Sequence, residues 1–435
     1  MNNKQRKLLR YFSRLGTYLK TLSPGRRTVL VLILATLLII LRKPSLIIGP
    51  QFWAEDGLIF YSQAYNEGLS AIFNNYAGFI QLYMRIVSEI AVHFGLILGP
   101  LIFSFGSIIV MLLPLFILWS SPKLLFEKYP YRQLLLFTYL YLLIPHLQEV
   151  FGTLTNAGWY LALAAAFCII RPEKNSKKWL TFDAMVLFIS GLTGPYCLFL
   201  LLPATLMCFY EKDKKNRFIK LGIVLICCII QAFVLIGANQ KSAYSLNTQK
   251  TSIVAEYQRP IKIVGMRFVE VPLLGIGSVN EHIAKSSQSL LFGLFVICLT
   301  LVAVLRSNIR IKALIIFSAT AFIFSLFRAQ TVTVVDFWKM IQYSDLIGQR
   351  YFFLPFIVWV VILILLKQQK DKYLTGVMSG ALLALFVLVF PASFYISGNE
   401  NRQYNKFVEN FNNAYSGTVN CTSINPDMKM CLKKR

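Results

Sequence analysis

The sequence is poor in acids and in histidines. Of its 435 residues only 19 are Asp or Glu and three are His, whereas 44 are Lys or Arg. Three scattered histidines argue against a metal centre built from histidines, and no cysteine spacing matches a zinc site. The phosphate-binding loops of nucleotide-dependent enzymes, GxxxxGK[ST] and GxGxxG before a helix, are also missing. The sequence therefore disfavours an enzyme that uses a nucleotide or a His-bound metal.

Apolar residues are abundant instead. They make up 56% of the chain, 35 residues are Phe, and the mean hydropathy is +0.60. Apolar runs recur to the end of the chain and are long enough to cross a membrane when their flanks snorkel. These runs are 28–47, 99–120, 133–147, 157–170, 180–194, 195–210, 219–238, 288–305, 311–328, 351–366 and 373–392. The sequence predicts an all-α polytopic membrane protein with about eleven transmembrane helices.

The net charge of +25 comes from short basic clusters between the apolar runs. This pattern is typical of topology signals that face anionic lipid headgroups, and no soluble basic module predicts nucleic-acid binding. With the basic segment 1–27 in the cytoplasm, the inner loops carry most of the basic residues. The transmembrane domain is then 28–392. Its long outer loops are 49–98, 239–287 and 329–350, and the tail 393–435 lies outside the cytoplasm.

The first outer loop contains an amphipathic segment that could be mistaken for a span. Gln81, Arg85, Glu89 and His93 recur every four residues and share one helical face. Such a helix is stable at a membrane interface. We therefore predict two surface helices in this loop, about 57–72 and 79–95. The polar stripe either lines a substrate cleft or pairs along the helix at i,i+4 spacing.

Glu55 and Asp56 are adjacent acids directly after the first apolar run. Acids at a membrane boundary are costly and usually serve chemistry, transport or pairing. A carboxylate within hydrogen-bond reach of a hydroxyl can act as a general base. Asp56 is our first choice for this base, with Glu55 as its partner or alternative. A structural role is the other interpretation, because Asp56 precedes a helix that it could cap.

Arg350 opens an apolar helix on the predicted outer side. A guanidinium matches phosphate oxygens with two hydrogen bonds, so Arg350 is a candidate for binding a lipid phosphate. It could instead anchor the helix at the interface together with Tyr351.

Three further residues surround a predicted outer turn. Glu149, Asn156 and Trp159 offer groups that suit sugar hydroxyls and ring faces, although turn and cap roles explain them equally well. We group them with Tyr351, Glu89 and His93 as candidates for lining a substrate cleft.

Cys421 and Cys431 lie ten residues apart in the predicted outer tail. An oxidising compartment would allow them to form a disulfide, and two unpaired thiols are the alternative.

Several stretches resemble the GT-C class of integral membrane glycosyltransferases. The acid pair in 53–57, followed by two interfacial helices, is similar to the opening of that class. Later stretches resemble bacterial members that modify surface polysaccharides: 154–160 (LTNAGWY), 191–195 (GLTGP) and 348–355 (GQRYFFLP). Each motif is short, and the similarity is one of architecture over the whole length. In this class the helix that carries Arg85 packs near the acid loop, which makes Arg85 a second candidate for contacting the donor phosphate.

The resemblance implies a transferase in the bacterial cytoplasmic membrane, with its site facing the periplasm or cell exterior. It would move a hexose such as glucose from a polyprenyl-phosphate carrier to a surface polysaccharide such as O-antigen, with inversion. Its partners would be this lipid-linked donor, a glycan acceptor and membrane lipid, with no nucleic acid. We predict no cofactor and no essential metal. A lipid-glycan flippase and an O-antigen polymerase or ligase are the alternatives.

Overall fold

The structure, a computed structural model, describes residues 17–145, 149–172, 176–210, 214–238, 258–275, 287–327, 341, 348–368, 374–398, 404–424 and 428–434. Most of the predicted outer loops 239–287 and 329–350 lies outside these described residues. So do residues 1–16 of the basic N-terminal segment.

Helices dominate the described chain, as expected when apolar segments must satisfy their own backbone hydrogen bonds. In chain order they are α1 (Pro24–Arg42), α2 (the π-helical turn Asp56–Tyr61 continued by Ser62–Glu67), α3 (Leu82–His93), α4 (Gly95–Ser120), α5 (Pro130–Leu143), α6 (Ala157–Ile170), α7 (Lys177–Gly191), α8 (Tyr196–Tyr210), α9 (Lys214–Ala238), α10 (Gln258–Gly265), α11 (Ser287–Arg306), α12 (Ile309–Phe327), α13 (Arg350–Gln368), α14 (Leu374–Val389) and α15 (Tyr404–Asn412). Two short antiparallel hairpins accompany them: β1 (Asn75–Tyr76) with β2 (Phe79–Ile80), and β3 (Val419–Ile424) with β4 (Met428–Lys433).

Each of the eleven predicted apolar runs overlaps one of these helices, and the protein is an all-α polytopic membrane protein. Within the described chain, seven helices are long and apolar enough to span a membrane: α1, α4, α9, α11, α12, α13 and α14. The helices of the other four apolar runs, α5 to α8, have only 14 or 15 residues each. They are about 22 Å long, which is less than the ~30 Å of a bilayer core. Every residue of α6 is buried, so protein rather than lipid surrounds it.

The first loop differs in detail from the two surface helices predicted at 57–72 and 79–95. The first prediction corresponds to α2 and a 3₁₀ segment that follows it, Gly68–Phe73. The second helix begins later than predicted, at Leu82, because Phe79–Ile80 pairs as β2 with β1. Ala77 and Gly78, with φ of +56° and +81°, form the turn between the two strands. Two positive φ values in succession are what a tight hairpin turn requires.

Buried charges surround the carboxyl end of α6, at one end of the bundle. The Asp183 carboxylate pairs with Arg171 at 2.5 Å and with Lys220 at 2.8 Å, and all three side chains are buried. Lys220 also donates to the carbonyl of Cys168 at 3.0 Å, and Arg217 donates to that of Ile169. Cations at the carboxyl end of a helix are stabilising, so this cluster caps α6. Asp183 lies within α7, and the two cations beside it compensate its buried charge.

The C-terminal tail lies at the opposite end, against the acid loop. The backbone N–H of Ile396 donates to the carbonyl of Arg42 at 2.8 Å, which starts the tail beside the end of α1. Tyr404, at the start of α15, donates its hydroxyl to the carbonyl of Leu96 at 2.8 Å. In the hairpin that follows, Cys421 is paired opposite Cys431, and the two form a disulfide.

Candidate active site

Asp56 joins two loops: the acid loop, residues 51–56, and the turn before α6, residues 149–156. The carboxylate is 4% exposed and accepts three hydrogen bonds from that turn. The backbone N–H and the hydroxyl of Thr155 donate to it at 2.7 Å and 2.5 Å, and the N–H of Leu154 donates at 3.2 Å. The side chain of Asp56 therefore points towards this turn. Its hydrogen bonds join two loops that are far apart in sequence.

Burial raises the pKa of Asp56 to about 7, although the hydrogen bonds from Thr155 and Leu154 act to lower it. Lys43 and Asp56 both line a small cavity of about 20 Å³. Its ammonium donates to the carbonyl of Phe151 at 3.0 Å, and burial lowers its pKa to about 8. The sequence did not single out Lys43. The signal that could have identified Lys43 is a cation near the end of the first apolar run, shortly before the acid pair in sequence.

Glu55 faces a different space from Asp56. Ala54, just before the pair, has a φ of +43°, which is uncommon for a residue with a side chain and marks a sharp local turn. Glu55 is half-buried and lines a cavity of about 120 Å³, whereas Asp56 does not line it. The hydroxyl of Tyr76 donates to the Glu55 carboxylate at 3.2 Å. Burial raises the pKa of Tyr76, which keeps its phenol protonated as a donor.

Arg350 lines the same cavity as Glu55, and the two charges interact electrostatically. The guanidinium pairs with the carboxylate of Glu149 at 2.7 Å, and both side chains are half-buried. The backbone N–H of Arg350 donates to Glu149 at 3.3 Å, and the N–H of Glu149 donates to the side chain of Gln349 at 3.1 Å. These reciprocal contacts fix the first turn of α13 against the turn before α6, so that Arg350 is held at the cavity.

The remaining predicted cleft residues form an aromatic and amide wall. Trp159 packs edge-on against Tyr196 and against Tyr351, with ring centroids 5.2 Å and 6.0 Å apart. The amide of Asn156 donates to the carbonyl of Glu149 at 2.8 Å, so it also supports the turn. All four of Asn156, Trp159, Tyr196 and Tyr351 line the cavity. Tyr196 was not predicted from the sequence.

The hairpin β1–β2 closes one side of the cavity and is held by the segment after α7. The N–H of Gly194 donates to the carbonyl of Ile80 at 2.8 Å. The buried side chain of Gln231, in α9, accepts from the N–H of Ile80 at 2.9 Å and donates to the carbonyl of Gly194 at 3.1 Å. Gln231 was missed as well, although a single amide within an otherwise apolar span is a recognisable signal.

The structure does not bring the polar stripe of α3 to this cavity. Arg85 is 1% exposed, donates to the side chain of Gln63 at 2.6 Å and lies over the ring of Phe60. Burial lowers its pKa to about 10. His93 is exposed and bonds the carbonyl of Glu89 through Nδ1 at 2.8 Å. Of the predicted stripe only Gln81 lines the cavity. Arg85 is therefore placed where it supports α2, and Arg350 is the cation at the cavity.

An apolar groove of about 430 Å³ lies in the membrane part of the bundle. It shares two helices with the polar cavity. On α13, Arg350 and Tyr351 line the cavity, and Pro355, Trp359 and Ile362 line the groove. On α12, Ser325 lines the cavity and Ala319 the groove in the same way.

The expectation that the protein needs no metal remains a prediction. Across the part of the chain that the structure describes, no three His, Cys, Asp or Glu side chains lie close enough together to hold an ion. Glu55 and Asp56, although adjacent, face different spaces.

The fold and the site together define the chain as an all-α membrane protein with a polar cavity at one end of its helix bundle. No family model and no curated protein matches the sequence. Among solved structures, the chain is similar to the apo form of the oligosaccharyltransferase of Archaeoglobus fulgidus, at 12% identity and a TM-score of 0.46. The alignment covers 89% of this chain, which spans 59% of the length of the archaeal protein.

Proposed function

We propose that the protein is a membrane glycosyltransferase that moves a hexose from a polyprenyl-phosphate carrier to a hydroxyl of a surface glycan. One observation carries this proposal: a carboxylate and a guanidinium, Glu55 and Arg350, line one cavity, and two of the helices that line it, α12 and α13, also line an apolar groove. The groove suits a polyprenyl chain, and Arg350 suits its phosphate. The aromatic wall of Trp159 and Tyr351 suits the face of a sugar ring.

In the proposed reaction, Glu55 accepts the proton of the acceptor hydroxyl as this oxygen bonds to the anomeric carbon. The bond between that carbon and the phosphate oxygen breaks, and the polyprenyl phosphate leaves with the electron pair. Arg350 stabilises the negative charge that develops on the leaving phosphate. Attack opposite the leaving group would invert the anomeric centre. The site would face the outside of a bacterial cytoplasmic membrane, because the basic loops lie at the other end.

The geometry favours Glu55 over Asp56 as the base. Asp56 accepts three hydrogen bonds from the turn before α6 and does not line the cavity that Glu55 and Arg350 line. It acts instead as a positioning residue, since its contacts fix the segment that carries Glu55. This assignment reverses the order in which the sequence alone ranks the two acids.

The test is expression in a host with a defined surface glycan, followed by measurement of the glycan mass. The wild type should add a hexose, and Glu55→Gln should lower the rate by about 10²–10⁴-fold. Glu67→Gln is the matched control, because Glu67 is an exposed acid of α2 outside the cavity. No added hexose in any tested host would refute the transferase, and full activity of Glu55→Gln would refute the base.

A further inference from the structure

The C-terminal hairpin packs directly on α2, on the residue that follows the acid pair. A Cβ atom at Gly57 would lie 2.9 Å from Cδ1 of Ile424 and 3.1 Å from Sδ of Met430. These distances leave no room for a side chain, so the hairpin approaches the α2 backbone closely. Ile424 and Met430 are themselves buried, one on each strand of the hairpin.

The far end of α2 is held by polar contacts to the same hairpin. The side-chain oxygen of Asn66 accepts the backbone N–H of Lys433 at 3.0 Å. Its amide donates to the carbonyl of Cys431 at 3.5 Å, next to the disulfide. The hairpin therefore binds α2 near both of its ends.

Aromatic side chains of α15 complete the contact. The ring of Phe411 meets that of Tyr65, in α2, with centroids 5.7 Å apart. The ring of Tyr404 meets that of Phe52, just before the acid pair, at 6.1 Å. The tail thus covers one side of α2, while Asp56 fastens the other side to the turn before α6.

We propose that the tail, described at residues 404–424 and 428–434, is a positioning element that holds Glu55 at the cavity, and that the Cys421–Cys431 disulfide keeps it in place. An isolated two-stranded hairpin is marginally stable in water, so a covalent link between its strands matters. The inference rests on the proposed function, because it assigns the tail a role in presenting the general base. The tail does not line the cavity or the groove, so its loss should not change donor binding.

The first experiment reduces the disulfide in folded enzyme held in lipid nanodiscs. Dithiothreitol converts the disulfide to two thiols and is itself oxidised to its cyclic disulfide. We expect kcat to fall at least about 5-fold, corresponding to ~1 kcal/mol, while KM for the lipid-linked donor stays within twofold. Reoxidation should restore kcat. The Cys421→Ser/Cys431→Ser variant should resemble the reduced enzyme and no longer respond to dithiothreitol.

The second experiment measures amide hydrogen exchange without substrate. Reduction should speed exchange in 54–67 and leave the central helix α6 unchanged. Unchanged kcat and unchanged exchange, with thiol labelling proving full reduction, would overturn the inference. Faster exchange throughout the bundle, or kcat and KM changing together, would assign the disulfide to general stability and also overturn it. If the wild type transfers no sugar, the proposed function fails, and the exchange of 54–67 still decides whether the disulfide holds α2.

Discussion

The carboxylate of Asp56 accepts two hydrogen bonds from Thr155, one from its backbone N–H at 2.7 Å and one from its hydroxyl at 2.5 Å. Together with the N–H of Leu154, these donors hold the acid loop against the turn before α6. Asp56 is therefore held by the turn before α6, and it does not line the cavity that Arg350 lines. Glu55, one residue earlier, is the acid that reaches the cavity.

Replacing Asp56 with Asn should weaken the fold. An amide has one acceptor oxygen, so its NH₂ group would face either Thr155 or the N–H of Leu154, which also donates. We expect the free energy of unfolding to fall by about 1–3 kcal/mol. Denaturation of the detergent-solubilised protein measures this free energy of unfolding. Unchanged stability combined with a loss of activity as large as that of Glu55→Gln would return Asp56 to the role of base.

Asp56 should also make stability depend on pH. Its pKa is raised from the ordinary value of 3.8 to about 7 in the folded protein. Between these values the folded state holds a proton that the unfolded state has released. The stabilisation is complete below pH 3.8 and is lost as pH rises through about 7. The free energy of unfolding should therefore fall over this range, by at most about 1.4 kcal/mol per pH unit. Asp56→Asn should flatten the trend, and Glu67→Gln should retain it.

Tyr76 should contribute modestly to activity through Glu55. Its hydroxyl donates to the carboxylate at 3.2 Å and holds it at the cavity. Tyr76→Phe removes this bond and keeps the ring, which packs against Phe60. We expect kcat to fall about 5-fold, the equivalent of ~1 kcal/mol, with the melting temperature nearly unchanged. A loss as large as that of Glu55→Gln would mean that the phenol itself takes part in proton transfer.

Much of the fold could be predicted from the sequence, because long apolar runs have few alternatives to helix in a membrane. The ends of the helices were less certain. The start of α3 depends on a hairpin turn at Ala77 and Gly78, a local feature that hydrophobic periodicity does not report. The short lengths of α5 to α8 were visible in the runs 133–147, 157–170, 180–194 and 195–210. Their surroundings were hidden, because a run of apolar residues does not tell whether lipid or protein surrounds it.

The site could be predicted only in part. The sequence identified Glu55, Arg350, Asn156, Trp159 and Tyr351, which the structure brings to one cavity. The sequence could not determine which acid faces the cavity, because that depends on the positive φ of Ala54 and on a contact across 99 residues of sequence. Arg85 was predicted as a second phosphate contact, but its side chain lies against Gln63 and Phe60 of α2 and does not line the cavity. The sequence periodicity places Arg85 on a helical face and does not report which neighbouring element covers that part of the face.

Arg350 should bind the donor phosphate through the geometry of its guanidinium. Arg350→Lys keeps the charge and loses the paired donors, so we expect the Kd of polyprenyl phosphate to rise about 10-fold or more. Glu149→Gln keeps the shape of its partner and removes the ion pair, so it should have a smaller effect. Quenching of tryptophan fluorescence by added polyprenyl phosphate measures the Kd for both variants. Equal affinity of Arg350→Lys and wild type would place the phosphate elsewhere.

The apolar groove should determine how the length of the donor's prenyl chain affects KM for the donor. Ala319, in α12, lines it opposite the α13 residues Trp359 and Ile362. Ala319→Trp should fill the groove and raise KM for an undecaprenyl donor about 10-fold, because the chain then buries less apolar surface. A donor with a short citronellyl chain should be affected much less.

Leu305→Trp is the control for this effect, since Leu305 is 80% exposed on α11 and does not line the groove. It should change neither KM. If Ala319→Trp raises KM equally for both donors, the groove does not hold the chain, and the substitution acts on the cavity through α12. If neither KM changes, the carrier leaves the site by another route, and only the contact between Arg350 and the phosphate would remain to be tested.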